Sequence, residues 1–151
     1  MDKIQLGEYI KLLASDLEIK EGNQFLEVSV PPSMLHHLAR QLRVKEEMQF
    51  DYLFCISGVD YGTDLGVVYH MRSTIFDHVV VLKTRTSDRK NPQVDSLTDI
   101  WHSAEFLERE VYDLLGIKFT NHPDLRRLFL DNSWGFPLRK DYVDEINIVY
   151  K

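Results

Sequence analysis

The sequence predicts an α+β fold, a mostly antiparallel sheet with helices packed on it, followed by an extended C-terminal arm. Apolar residues recur at helical spacing in three separate segments. Three apolar segments in the middle of the protein follow one another through short polar turns, the pattern of an antiparallel meander. After Gly116 the apolar residues lose any sustained period. We therefore predict a domain over residues 1–116 and an arm over residues 117–151 that docks on a partner.

The protein begins with a predicted helix, strand and helix. Ile4 to Leu17 carry a rough helical stripe, and Leu26 to Val30 alternate as a strand that stops at Pro31-Pro32. Ser33 can then accept a hydrogen bond as the N-cap of a second helix, whose apolar residues continue to Leu42.

The next three segments are predicted strands. Phe50 to Val59 is apolar on both faces, which favours a central strand. Val67 to Met71 follow a predicted turn over Asp60 to Asp64, and His78 to Thr84 follow a second turn near Asp77. Arg85 to Asp95 is polar, and we expect a loop there.

A third helix, or pair of helices, is predicted before Gly116. Ser96 and Asp99 resemble a capping box at its start, and Gly116 is a good C-terminal stop. The side chains expected to face the core are Phe106, Leu107, Val111, Leu114 and Leu115.

Composition limits the function. The chain has 151 residues, which fits one domain, and a net charge of −6, which disfavours nucleic acid as a partner. Cys55 is the single cysteine, so the chain alone can form neither an internal disulfide nor an iron–sulfur cluster. Neither a signal peptide nor a segment of the ~20 apolar residues that span a bilayer is evident. We expect a soluble chain whose link to a membrane comes only through partners.

Few residues suggest chemistry. The sequence has neither G-x-G-x-x-G nor a phosphate-binding loop, so no nucleotide site is expected. His36 and His37 are adjacent on a predicted helix and point ~100° apart, so they cannot chelate one metal. We expect no catalytic, cofactor-binding or metal-binding residue in this protein.

Arg109 has carboxylates on both sides along its helix. Glu105 and Asp113 each lie four residues away and are predicted to pair with it, at about 0.3–0.5 kcal/mol for each exposed pair. Structural ion pairing is favoured because no nucleophile or metal ligand set lies nearby. The distant alternative is a small acid–base hydrolase, whose candidate side chains are Glu108, Glu110 and His122.

The arm combines arginines with aromatic residues, the composition of interface hot spots. Its apolar residues show no period that would fold them onto a local core. We therefore expect a chain ending after Phe119 to fold and to lose its partner. The cations and aromatic residues involved are Arg126, Arg127, Phe129, Trp134, Phe136, Arg139, Lys140 and Tyr142.

Three ordered blocks carry a resemblance to a known family. They read E-R-E-V-Y-D-L-L-G-I-K-F over residues 108–119, H-P-D-L-R-R-L over 122–128 and G-F-P-L-R-K-D-Y over 135–142. They resemble the motifs of the 30 kDa (C-type) subunit family of the respiratory NADH:quinone oxidoreductase, complex I. The motif residues, which are also the predicted interface, are Glu108, Arg109, Glu110, Asp113, Gly116, His122, Pro123, Arg126, Arg127, Trp134, Pro137, Arg139, Lys140, Asp141 and Tyr142.

The resemblance implies a cofactor-free scaffold subunit that supports the quinone-reducing module of a proton-translocating complex. Its implied partners are the large quinone-site subunit (D type) and neighbouring iron–sulfur subunits. Iron–sulfur clusters, FMN and quinone would belong to those partners, and the protein would lie peripherally at the cytoplasmic face of a bacterial inner membrane. The equivalent subunit of a membrane-bound hydrogenase or related ion-pumping complex is the nearest alternative.

Overall fold

The computed structural model describes residues 1–144, so the last part of the predicted arm, residues 145–151, lies outside the described residues. The described residues form three helices and seven strands. In sequence order they are α1 (Lys3–Leu13), β1 (Glu18–Glu21), β2 (Leu26–Ser29), α2 (Pro32–Val44), β3 (Tyr52–Asp60), β4 (Leu65–Ser73), β5 (His78–Thr86), β6 (Gln93–Asp95), α3 (Ala104–Leu115) and β7 (Lys118–Thr120).

The main sheet has five strands in the order β1-β2-β5-β4-β3. β3, β4 and β5 form the predicted antiparallel meander, and β2 joins β5 in parallel. Buried side chains from the three helices and from alternate positions of the strands form one core cluster, which includes Ile10, Leu38, Tyr69, Leu82 and Val111. The α+β class and the mostly antiparallel sheet are confirmed.

The position of β3 corrects one prediction, because this strand lies at the edge of the sheet and not at its centre. Its core side holds Leu53 and Ile56, whereas Tyr52 and Phe54 are exposed on the other side. The ring centroids of Tyr52 and Phe54 are 5.8 Å apart. The second apolar face that suggested a central strand is therefore a pair of surface aromatic residues.

Two helix starts also differ from the predictions. α2 begins at Pro32 without a side-chain cap, so Ser33 lies inside the helix. α3 begins only at Ala104, and the proposed capping pair has other partners. Ser96 donates to Glu108, and Asp99 pairs with His36 and Arg40.

The predicted arm begins inside the domain. β7 pairs in parallel with β6, a short strand in the segment expected to be a polar loop. Ile117 and Phe119 are 0 % and 2 % exposed and belong to the core cluster. Phe106, which was expected to face the core, is 59 % exposed. The arm therefore leaves the body of the domain only after Thr120.

Candidate partner interface

α3 presents three buried charged side chains, although most buried positions in a domain are apolar. Glu108, Arg109 and Asp113 are 0 %, 4 % and 0 % exposed. The helix ends at Gly116, whose φ of 74° is in the left-handed region that favours glycine. Buried charges need partners, and in this protein most of them come from the segment after α3.

Glu108 ties α3 to the loop before it. Its carboxylate accepts hydrogen bonds from the Ser96 hydroxyl and the Leu97 amide, each at 2.7 Å. Burial raises the pKa of Glu108 to about 7, because the ionised form loses its hydration, and the two hydrogen bonds offset part of that rise. The His122 ring nitrogen Nε2 lies 3.9 Å from the Glu108 carboxylate.

Arg109 does not pair with Asp113 as predicted. Its Nε and Nη2 donate to the backbone carbonyls of Arg126 and Arg127, at 3.3 and 3.0 Å. Its guanidinium also lies 5.7 Å from the ring centroid of Phe106. Arg109 therefore anchors the arm to the helix, a role that four-residue spacing along α3 could not reveal.

Asp113 accepts its hydrogen bonds from the arm. Arg127 Nη1 lies 3.2 Å from one carboxylate oxygen, and the amides of Phe129 and Leu130 donate to the other at 2.8 and 3.2 Å. Burial alone would raise the pKa of Asp113, but these hydrogen bonds outweigh it and hold the pKa below its usual value. The carboxylate thus fixes the path of the arm over residues 127–130.

The arm also caps the C-terminal end of α3. The last carbonyls of a helix have no partner within it and carry partial negative charge. Arg127 Nη1 donates to the Asp113 carbonyl at 2.8 Å, and Arg139 Nε donates to the Leu115 carbonyl at 2.6 Å. The Leu138 amide donates to the Leu114 carbonyl at 3.1 Å. Two cations and one amide therefore satisfy this helix end.

Phe136 lies between the two capping arginines. The guanidinium carbons of Arg127 and Arg139 are 4.8 and 5.0 Å from its ring centroid. A Cβ at Gly116 would lie 2.6 Å from the Phe136 ring, so only glycine leaves room for this contact. Gly116 is thus required both for its backbone conformation and for the close approach of the arm.

Asp60 fastens the end of the described arm to the sheet domain. It accepts two hydrogen bonds from Arg89, at 2.7 and 2.9 Å, and one at 2.8 Å from each of the amides of Gly62 and Lys140. The Arg89 guanidinium is the main reason that the pKa of Asp60 is far below its usual value. Asp141 also lies 3.4 Å from Arg89. The sequence interpretation assigned Asp60 to a turn and missed this role.

His122 and its neighbours form the first turn of the arm. The Asp124 amide donates to His122 Nδ1 at 3.0 Å, which leaves Nε2 as the donor to the Glu105 carbonyl at 2.9 Å. Pro123 is exposed, and Arg126 is exposed with its Nε 3.0 Å from Asp124.

Five large apolar side chains of α3 and of the described part of the arm, residues 117–144, remain in solvent. Their exposed fractions are 59 % for Phe106, 71 % for Phe129, 43 % for Trp134, 59 % for Leu138 and 68 % for Val143. Since burying apolar surface drives association, this set is the candidate partner interface. Arg127 and Arg139, predicted to contact a partner, donate to carbonyls of their own chain. Pro137 and Tyr142 are half-buried, and Lys140 is exposed.

The hydrolase candidates do not converge into one open cleft. Glu108 is buried, whereas Glu110, two residues later, is exposed on a different side of the helix. Among residues 1–144 there is no group of three His, Cys, Asp or Glu side chains able to hold a metal ion. Within the same residues, no helix has the length and apolar character to cross a membrane.

Comparison with known proteins gives a consistent result. Residues 28–146 match the family model for the respiratory-chain NADH dehydrogenase 30 kDa subunit. The C-type NADH-quinone oxidoreductase subunit of Moorella thermoacetica is 39% identical over 88% of this protein and 90% of its own length. The fused C/D-type subunit of Phocaeicola vulgatus is 45% identical over 80% of this protein, but the match spans only 23% of that longer polypeptide.

A solved structure supports the same relationship. One polypeptide of the membrane-bound sulfane sulfur reductase, an archaeal respiratory membrane complex, superposes with a TM-score of 0.80 at 25% identity. The match includes 97% of this protein and 88% of that one. By sequence and by fold, this protein belongs to the family of the 30 kDa subunit of respiratory-chain NADH dehydrogenase.

Proposed function

We propose that this protein is a structural subunit of the peripheral arm of a proton-translocating NADH:quinone oxidoreductase, where it supports the quinone-reducing module. The observation that carries this proposal is the likeness to the C-type subunit of Moorella thermoacetica over 90% of that protein. The contacts of the buried charges of α3 agree with a scaffold role, because Arg109 and Asp113 hold the arm and Glu108 holds the loop before the helix.

The proposed partner is a D-type subunit. Some relatives are C/D-type subunits, in which the region that matches this protein is part of a longer polypeptide. The match spans 23% of that polypeptide. Two subunits that are joined in one polypeptide in some organisms are commonly in contact in organisms where they are separate polypeptides. We further propose that clusters, FMN and quinone are held by partners, and that the assembly lies at the cytoplasmic face of the membrane.

The exposed apolar set supplies the docking surface in this proposal. Phe129 and Trp134 lie on the segment that Asp113 and Arg127 hold in place, so they are presented on a fixed backbone. A fixed anchor loses less conformational entropy on binding than a free one.

The test is purification of the tagged protein from native membranes with identification of its neighbours. NADH-oxidising and D-type subunits are expected in stoichiometric amount. Phe129→Glu with Trp134→Glu is expected to abolish their recovery. The matched control is Leu12→Glu on α1, at a side chain that is 83% exposed. Equal recovery with both variants would place the interface elsewhere.

One other function has specific support. The structural match to a polypeptide of another respiratory membrane complex favours an equivalent subunit in a related ion-pumping assembly. The same purification separates the two, since hydrogenase-type or sulfur-reducing neighbours without NADH-oxidising subunits would establish the second function.

A further inference from the structure

The two edge strands of the main sheet differ in how well they are protected against pairing with another strand. β1 forms one edge, is four residues long and carries Glu18, Lys20 and Glu21, with Lys20 and Glu18 paired at 2.9 Å. Natural proteins keep sheet edges short and charged because unpaired backbone groups otherwise recruit other strands. The β1 edge therefore has the features of an edge that stays in solvent.

β3 forms the other edge and lacks that protection. It is nine residues long, and within residues 1–144 it pairs only with β4. No charged side chain occurs from Tyr52 to Val59. Its register is irregular between Leu53 and Cys55, where Ser103 also donates to the Leu53 carbonyl, but Cys55 to Asp60 pair regularly with β4.

An apolar groove runs beside this open edge. It has a volume of about 210 Å³ and lies between β3 and α3. Its wall includes Leu114, half-buried, and Leu138, which is 59 % exposed, with the exposed carboxylate of Glu110 beside them. α3 packs tightly at Gly58, where an added Cβ would overlap the Leu115 side chain. An added strand would cover the groove.

We propose that the open edge of β3 accepts one extended strand from the D-type partner subunit, which rests on the proposed function above. Backbone hydrogen bonds to residues 55–59 would give affinity. Apolar side chains facing α3 would contact Leu114 and Leu138, and a basic side chain would suit Glu110. A strand fits better than a helix, because only an extended segment pairs with the free amides and carbonyls of an edge. A second copy of this protein fits less well, because each copy carries a net charge of −6.

Hydrogen exchange of the full-length protein, alone and in the purified complex, tests the proposal. Alternate amides among residues 55–59 should exchange quickly in the isolated protein and at least about 100-fold more slowly in the complex. The β1 edge is the internal control and should exchange equally fast in both samples. Alternation is the expected pattern because only every second amide of an edge strand points outward.

Three outcomes would overturn the proposal. Unchanged exchange at residues 55–59 in the complex would show that no strand binds there. Protection in the isolated protein that increases with its concentration would identify a second copy as the occupant. Protection that is independent of concentration would show that the protein covers its own edge, with residues 145–151 as the candidate. If the complex contains no D-type subunit, the proposed function fails first, whatever the exchange shows.

A substitution adds an independent measurement. Leu138→Glu places a charge in the groove at an exposed position, and should weaken binding of the D-type subunit at least tenfold in a titration. Leu12→Glu, on α1, is the control and should bind normally. Equal binding of the two variants would exclude the groove, and equal thermal melting of both confirms that folding is unaffected.

Discussion

Arg127→Ala is the sharpest test of how the arm is held. Arg127 is 13% exposed and its partner Asp113 is 0% exposed in their side chains. The arginine also donates to the carbonyls of Asp113 and Gly135. Its removal leaves a buried carboxylate with two amide donors but no cation, and leaves carbonyls at the end of α3 unpaired.

The expected loss follows from these contacts. Breaking a buried ion pair by removing one partner typically destabilises a protein by about 3–5 kcal/mol. Asp113 keeps the amides of Phe129 and Leu130, so we expect the lower end, about 3 kcal/mol. A loss of that size is a large fraction of the stability of an ordinary domain.

Arg126→Ala is a matched control one residue away. Its side chain is 66% exposed and pairs with Asp124, which is itself half exposed, so its loss should change stability by no more than about 0.5 kcal/mol. Urea unfolding followed by circular dichroism gives both free energies of unfolding. If the two variants unfold at the same urea concentration, the buried pair does not hold the arm and our reasoning is wrong.

Three other perturbations probe the same network, and one measurement on the unaltered protein tests for a bound cofactor. Glu108→Gln should flatten the pH dependence of the free energy of unfolding, which urea unfolding at several pH values measures. Because the pKa of Glu108 is raised to about 7 in the folded protein, the protonated carboxyl stabilises the fold fully below about pH 4.5, and this stabilisation is lost as the pH rises through about 7. The total loss is on the order of 3 kcal/mol. Arg109→Ala should lower the melting temperature of the isolated protein, because two arm carbonyls lose their buried donor; normal melting in a complex that cannot reduce quinone would instead indicate a catalytic role. The sequence led us to expect that a chain ending after Phe119 folds, but the structure predicts that this chain loses helical circular dichroism, since Asp113 loses its partners; a folded truncated protein would show that the arm is dispensable. The purified full-length protein should show no visible absorption and no stoichiometric metal, because it has one cysteine; a bound cluster would contradict the scaffold role.

The larger elements could be predicted because their apolar periods are long. The meander from β3 to β5 and the core face of α2 follow from alternation and helical spacing. The stripe predicted for α1 is correct only in part, because Leu6 and Ile10 are buried but Ile4 is 65 % exposed. β6 and β7 were missed, because three-residue strands are too short to show a period. The edge position of β3 was also missed, since a strand with surface aromatics has the same pattern as a buried one.

The arm shows where local spacing fails as a guide. The four-residue spacing predicted a pair between Arg109 and Asp113, but the partner of Asp113 is Arg127, fourteen residues later. Arg109 donates a hydrogen bond to the backbone carbonyl of Arg127. The loss of apolar periodicity after Gly116 predicted an arm that leaves its domain. Hydrogen bonds to side chains and to a helix end need no period, so the same pattern also fits a segment wrapped on its own domain.

The roles of the motif residues explain why the family resemblance is a statement about fold more than about a binding site. Arg109, Asp113, Arg127 and Arg139 join α3 to the arm, and Gly116 makes room for it. Their contacts lie within the protein, so any sequence that keeps them keeps the path of the arm whatever it docks against. Of the five exposed apolar side chains that could select a partner, only Leu138 lies within the three motif blocks. A subunit built in this way can keep one scaffold while its interface adapts to the complex in which it serves.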